Sequence, residues 1–167
     1  MTRSLLTAVL AATLVAWSTG CASNRIEVST SFDPIASFPA EATFVWDDAA
    51  NIMPQDERLE PLHLDEMIRQ GATDAFAARG YRPAEGDAGD FLLSYEFGES
   101  IWHGSEGMTS VASISLVLKH PETARRVWVG FARANVEPML SREERGRRLR
   151  GAFDEMLEGF PPSESAR

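Results

Sequence analysis

Apolar and polar positions alternate through Ile26, Val28, Thr30 and Phe32, the two-residue period of a half-buried strand. Asp33-Pro34 breaks that period. Thr43 to Trp46 predicts a short second strand, with Phe44 and Trp46 on one face. Asp47 to Glu60 is acidic and contains Pro54, so it reads as an exposed loop. The period then changes. Leu64, Met67, Ile68, Gly71, Ala72, Ala75 and Phe76 fall on one stripe of an amphipathic helix. Pro61 suits its first turn, and Gly80 suits the left-handed residue that ends it. The small residues of the stripe predict close approach to a sheet.

Three more strands follow. Phe91, Leu93, Tyr95 and Phe97 alternate with polar residues, as do Ala112, Ile114, Leu116 and Leu118, and Val127, Val129 and Phe131. His120 to Ala124, with Pro121, is a tight link that predicts an antiparallel hairpin between the last two. Ser141 and Glu144 have the spacing of a capping box, in which hydroxyl and carboxylate each satisfy a free backbone N–H. Leu149, Ala152, Phe153, Met156, Leu157 and Phe160 form the buried stripe of a second helix, which Pro161-Pro162 stops. The order is strand, strand, helix, three strands, helix. The simplest solution is an α+β two-layer sandwich, a mostly antiparallel five-stranded sheet with two amphipathic helices on one face.

The N-terminal pattern is of another kind. Arg3 precedes an uncharged run from Leu5 to Trp17, and small residues Ser18-Thr19-Gly20 lead to Cys21, the only cysteine. Those 13 residues are too few to cross a hydrocarbon core, which takes about 20, but they suit a secretory signal. A lone thiol in an exported chain has no internal disulfide to make. The segment resembles a bacterial lipoprotein signal, although Ser18 stands where such signals usually carry Leu. The resemblance implies cleavage between Gly20 and Cys21, with Cys21 carrying S-diacylglyceryl and N-acyl groups. An ordinary signal peptide cut after another small residue, leaving a free thiol, is the alternative. Ala22 after the cysteine implies, by the Gram-negative sorting pattern, the periplasmic face of the outer membrane. The organisation read from the sequence is thus a removed signal over 1–20, a lipidated tether over 21–25, one α+β domain over 26–162 and a tail over 163–167.

Several short pieces in order then carry a family resemblance. They are Phe32-Asp33-Pro34, Phe44-Val45-Trp46, Ala78-Arg79-Gly80-Tyr81, Asp90 to Tyr95, Val127-Trp128-Val129-Gly130 and Gly159-Phe160-Pro161. Together they resemble the bacterial lipoproteins of domain-of-unknown-function family 4136. The resemblance implies envelope localisation and this fold class, and it implies no catalytic residue.

Charge narrows the partners. After residue 20 the chain holds 25 acidic and 15 basic residues, a formal charge of about −10, which argues against a nucleic-acid partner and against a polybasic grip on anionic lipid. His63, His103 and His120 fall in different elements without metal-ligand spacing. His63 and Glu66 stand at i, i+3, but solvated polar residues are the blander account. The acidic residues of the Asp47–Glu60 loop lack the regular spacing of a calcium loop. No nucleophile elbow or phosphate-cradling loop occurs, so no catalytic residue, metal or cofactor is expected. Arg142, Arg145, Arg147, Arg148 and Arg150 spread around the second helix and read as a solvated face, with Glu143–Arg147 and Glu144–Arg148 at i, i+4. The Gly-rich connection from Gly98 to Ser110 carries Trp102 and His103, the candidate partner contact, since Trp is enriched at interface hot spots. Tucking of Trp102 under its own hairpin is the competing account. Two functional classes remain: a membrane-tethered, non-catalytic interaction module of the cell envelope, or a lipoprotein that binds a small or lipidic ligand between sheet and helices.

Overall fold

A computed structural model describes residues 25–57, 59, 62–104, 107–137 and 139–161. The signal, Gly20, Cys21, Pro61, Pro162 and the tail over 163–167 lie outside the described residues. Strands β1 (Glu27–Phe32) and β2 (Ala42–Trp46) lead to helix α1 (Leu64–Ala77). Strands β3 (Tyr81–Pro83), β4 (Phe91–Gly104), β5 (Gly107–Lys119) and β6 (Arg126–Asn135) follow, and helix α2 (Arg142–Met156) closes the domain.

The α+β class and the two helices are as the periodicity predicts, but the sheet has six strands, in the order β1-β6-β5-β4-β2-β3. The extra strand, β3, has three residues and ends in Pro83, too short to show a period. It pairs parallel to β2, and β2 pairs parallel to β4. The other neighbours are antiparallel, including the β5–β6 hairpin across His120–Ala124. Phe44, Leu93, Tyr95, Leu116, Leu118 and Trp128 from the sheet join Ile68, Ala72, Phe76, Phe153, Met156 and Leu157 from both helices in one buried cluster.

Three local expectations change. The stretch from Gly98 to Ser110 is not a connection. It is the far half of a long hairpin, paired from Gly98↔Ser113 to Gly104↔Gly107. Alternation is faint there because the pairs lie beyond the main core, held by the backbone ladder. The segment after Trp46 is not a free loop throughout. Asp48–Ala50 forms one 3₁₀ turn, and Ile52 bridges β4, donating to Tyr95 O at 2.9 Å and accepting from Phe97 N at 2.8 Å. At Gly71 the close approach is to α2 and not to the sheet, because a Cβ there would stand 3.0 Å from Phe153 Cε2. Gly80 adopts the expected positive φ, 86°.

Candidate functional site

The sandwich opens at one end into a groove. Its floor is the helix-facing side of Phe97, Ala112, Ile114, Ala132 and Ala134. Its walls are Leu149 and Ala152 of α2, Leu64 of α1, and Leu59 and Leu62 from the approach to α1. Ile26, at the start of the described chain, and Leu140, just before α2, complete the apolar lining. The cavity volume is about 180 Å³. The groove exists because four of its floor and wall positions are alanines, which fill little of the gap that Leu or Phe fills elsewhere in the layer.

Several polar groups at the rim are already engaged. Arg148 Nη2 meets Glu137 Oε1 at 3.0 Å, and Arg133 Nη2 meets Glu27 Oε2 at 2.7 Å. Arg145 Nη1 donates to the Leu140 carbonyl, while its Nε is enclosed without a hydrogen-bond partner. What the groove offers a visitor is therefore chiefly apolar contact. The arginines at the start of α2 are not all the solvated face expected: Arg145 and Arg148 line the groove, and Arg148 pairs with Glu137 instead of Glu144. Arg142 reaches across to Glu66 of α1 at 3.1 Å, and the capping box of Ser141 and Glu144 forms as the spacing predicts. In that box Glu144 is held below the ordinary carboxylate range by the side-chain and backbone hydrogen bonds of Ser141.

A second, wider depression of about 540 Å³ lies alongside, between residues 53–57 and His63–Asp65. Its lining mixes Met53, Pro54 and Leu59 with Asp56, Glu57, His63 and Asp65. Among the described residues no three His, Cys, Asp or Glu side chains converge as a bound cation needs. His63 sits in a left-handed conformation just before α1, with φ 50°, so His63 and Glu66 are not two positions of one helix face. Trp102 and His103 are placed in β4, opposite Thr109 and Met108. Their side chains lie outside what is described.

One polar network was not legible in the sequence. Arg69 Nη2 meets Asp48 Oδ1 at 2.7 Å, Arg69 Nε meets Asp65 Oδ1 at 2.9 Å, and the guanidinium lies 5.1 Å from the Trp46 ring centre. Tyr95 Oη donates to the same Asp65 oxygen at 2.5 Å. Burial pushes the Asp65 carboxyl up, but the hydrogen bonds from Tyr95 and Arg69 outweigh it and hold it below its ordinary value. Burial first, then the bond to Asp65, pushes the Tyr95 phenol well above the ordinary tyrosine range. The pair is a fixed carboxylate and a fixed phenol near neutral pH, suited to joining α1 to the sheet and unsuited to proton exchange. Only the Asp65–Arg69 spacing of i, i+4 hinted at it.

Similarity to known proteins bears on the fold and the family. Among solved structures, the PelC dodecamer from Paraburkholderia phytofirmans superposes with a TM-score of 0.51 at 14% identity, covering 80% of this chain and 95% of that one. A point variant of the same dodecamer gives 0.50 at 15% identity over the same shares. A PDZ domain protein from Parabacteroides distasonis gives 0.53 at 12% identity, over 87% of this chain and 38% of that larger one. At these identities the likeness is one of fold. At the sequence level no curated protein matches. The sequence model of the family described as "Domain of unknown function (DUF4136)" matches residues 28–162. That span runs from β1 past the end of α2 and takes in each motif from Phe32-Asp33-Pro34 to Gly159-Phe160-Pro161, so the chain belongs to the DUF4136 family.

Proposed function

We propose that this chain is a lipid-anchored, non-catalytic interaction module of the cell envelope, held by Cys21 at the periplasmic face of the outer membrane. The groove carries the reading. Its volume of about 180 Å³ is below the roughly 300–1,000 Å³ of sites that enclose a small ligand, and Arg148 and Arg133 at its rim are paired with Glu137 and Glu27. A surface of this kind seats an apolar side chain or short segment of a protein partner better than it encloses a free lipid or metabolite. The hairpin that carries Trp102 and His103 flanks it. Copies of the same chain are one candidate partner, because the PelC structures of similar length are dodecamers.

Two experiments test the two halves. Cys21→Ser should release the chain from membranes, and a variant that stays membrane-bound with unchanged mobility would sink the anchor. A photo-crosslinking residue placed at Leu140 should capture a discrete protein in cells, either another polypeptide or a second copy. Capture of nothing specific at Leu140 would remove the interaction-module reading.

A further inference from the structure

The long hairpin and the start of the chain point the same way. Glu27 pairs with Arg133, and Arg133 pairs with Ser113, so Glu27, Arg133 and Ser113 stand at one level of the sheet. From that level β5 extends six residues further, to Gly107, an overhang of about 20 Å at the usual rise per residue. Strand β1 runs parallel to β5, since both are antiparallel to β6. Arg25 and Ile26, the described residues before Glu27, therefore lead toward the overhang. Cys21 is six residues before Glu27, a reach of at most about 21 Å when fully extended. Overhang and tether are the same length.

The overhang also carries the wrong surface for water. Ile101 on β4 and Met108 on β5 continue the helix-facing rows of Phe97 and Ile114, yet they are 61% and 72% exposed because no helix lies opposite them. Met139 is 96% exposed. It stands in the segment entered at Val136, whose N–H donates to Ser110 O at 2.8 Å. Three of the five large exposed hydrophobic side chains among the described residues thus stand on segments that continue past the level of Glu27.

We propose that this end is a second membrane contact, in which Ile101, Met108 and Met139 enter the headgroup region of the leaflet that holds the anchor. The inference rests on lipidation of Cys21. A tether no longer than the overhang cannot raise an upright domain clear of the bilayer, so the apolar tip meets lipid whenever the anchor is inserted. One lipid-borne signal is then joined by a protein-borne one, which fixes the domain upright and turns the far end of the sandwich to the periplasm. With a formal charge of about −10 after residue 20, the contact gains nothing from anionic headgroups and depends on apolar burial, so added salt should not weaken it.

The test uses the full chain, purified from membranes and reconstituted into vesicles of a zwitterionic phospholipid with brominated acyl chains. Met108→Cys and, at the opposite end of β5, Glu122→Cys are each labelled with an environment-sensitive thiol dye; a lipidated Cys21 takes none. The expected result is loss of fluorescence to brominated lipid at position 108, unchanged by salt, and none at position 122. Equal, water-like emission at both positions in vesicle-bound protein would overturn the contact and leave the anchor standing. Dye on Cys21, with no vesicle binding, would remove the anchor and the contact together. Shielding at position 108 that depends on protein concentration and not on bromine would assign the tip to a second copy and overturn the proposal.

Discussion

Gly130→Ala probes the closest approach that an added Cβ would meet among the described glycines. Gly130 lies on the helix-facing side of β6, where the Trp128 ring folds along its own strand and covers it. A Cβ built at position 130 would stand 2.4 Å from Trp128 Cη2, 3.0 Å from Cζ2 and 3.1 Å from Met156 Sδ. Ordinary carbon contacts are about 3.5–4.0 Å, so the indole would have to move by more than an ångström. It has nowhere to go. Trp128 is 3% exposed, with Phe160 at 5.3 Å and Phe76 at 5.9 Å between ring centres, both edge-on. Forcing a methyl into such a site costs about 1–3 kcal/mol. Against it stands the roughly 0.5–1 kcal/mol gained by relieving glycine's conformational freedom in a strand. The net expectation is a loss of about 1–2 kcal/mol, or roughly 4–8 °C in Tm for a domain of this size. Urea denaturation followed by circular dichroism reads it directly, with an unchanged slope marking a change of stability alone. In a Trp128→Leu background the same substitution should become neutral or stabilising, because the group it strikes is gone. An equal cost in both backgrounds, or a stabilised single variant, would refute the account.

Arg79 predicts a sharper loss than its surface position implies. Its Nε donates to Leu157 O at 2.7 Å, Nη1 to Ala75 O at 2.9 Å and Nη2 to Asp154 O at 3.0 Å, so one guanidinium caps the last turns of both helices. Arg79→Lys keeps the charge but not the fork, and should cost about 2 kcal/mol in urea denaturation. The Tyr81 phenol, which donates to Pro39 O at 2.5 Å, is pushed up to about 12 by burial, with Asp90 adding to it. An unfolded tyrosine ionises near 10. The stability Tyr81 supplies is therefore complete below pH 10 and is lost as pH rises toward 12. Tyr81→Phe should be less stable than the parent at pH 8 and should flatten that alkaline decline in pH-resolved denaturation. Phe160→Ala, which empties a site touching Phe38, Phe76, Tyr81 and Trp128, should cost about 3–5 kcal/mol by the same measurement.

These residues also mark how far the sequence could be read. The two helices and strands β4 and β5 were legible because each has one buried face, and burial imposes a period. In β6 the apolar row Val127, Val129 and Phe131 is not the one that faces the helices, which is Trp128, Gly130 and Ala132. Ala78-Arg79-Gly80-Tyr81 was visible as a motif but silent about cause. The structure supplies one for each conspicuous member: Arg79 caps both helices, and Gly80 takes φ 86° where a Cβ would stand 2.5 Å from Ala40 O. Tyr81 is fully buried, with its hydroxyl on Pro39. Apart from the Arg79–Ala75 bond, none of that is local in sequence, since the other partners lie some 40 residues before and 80 after. The parallel edge at β2, β3 and β4 was hidden for a related reason. Strands three to five residues long show too little alternation to declare a partner. The groove was invisible because alanine at a buried position reads the same whether a neighbour fills the space or leaves it.

The distribution of side-chain size along the sandwich connects stability to the proposed role. At one end Phe38, Phe76, Tyr81, Phe91, Trp128 and Phe160 meet ring to ring at 4.9–6.3 Å, and Arg79 ties both helix ends over them. At the other end Ala112, Ala132 and Ala134 of the sheet and Ala152 of α2 line the groove. Aromatic pairs add about 0.5–1.5 kcal/mol each beyond the area they bury, so the closed end holds a disproportionate share of the folding energy. An apolar groove left open is a cost to the isolated domain, tolerable because the opposite end over-secures the fold. The open end is also the one beyond which the hairpin extends. Stability at one pole and unsatisfied apolar surface at the other is the arrangement that the proposed role would use, with the closed end securing the fold and the open end left free for contact.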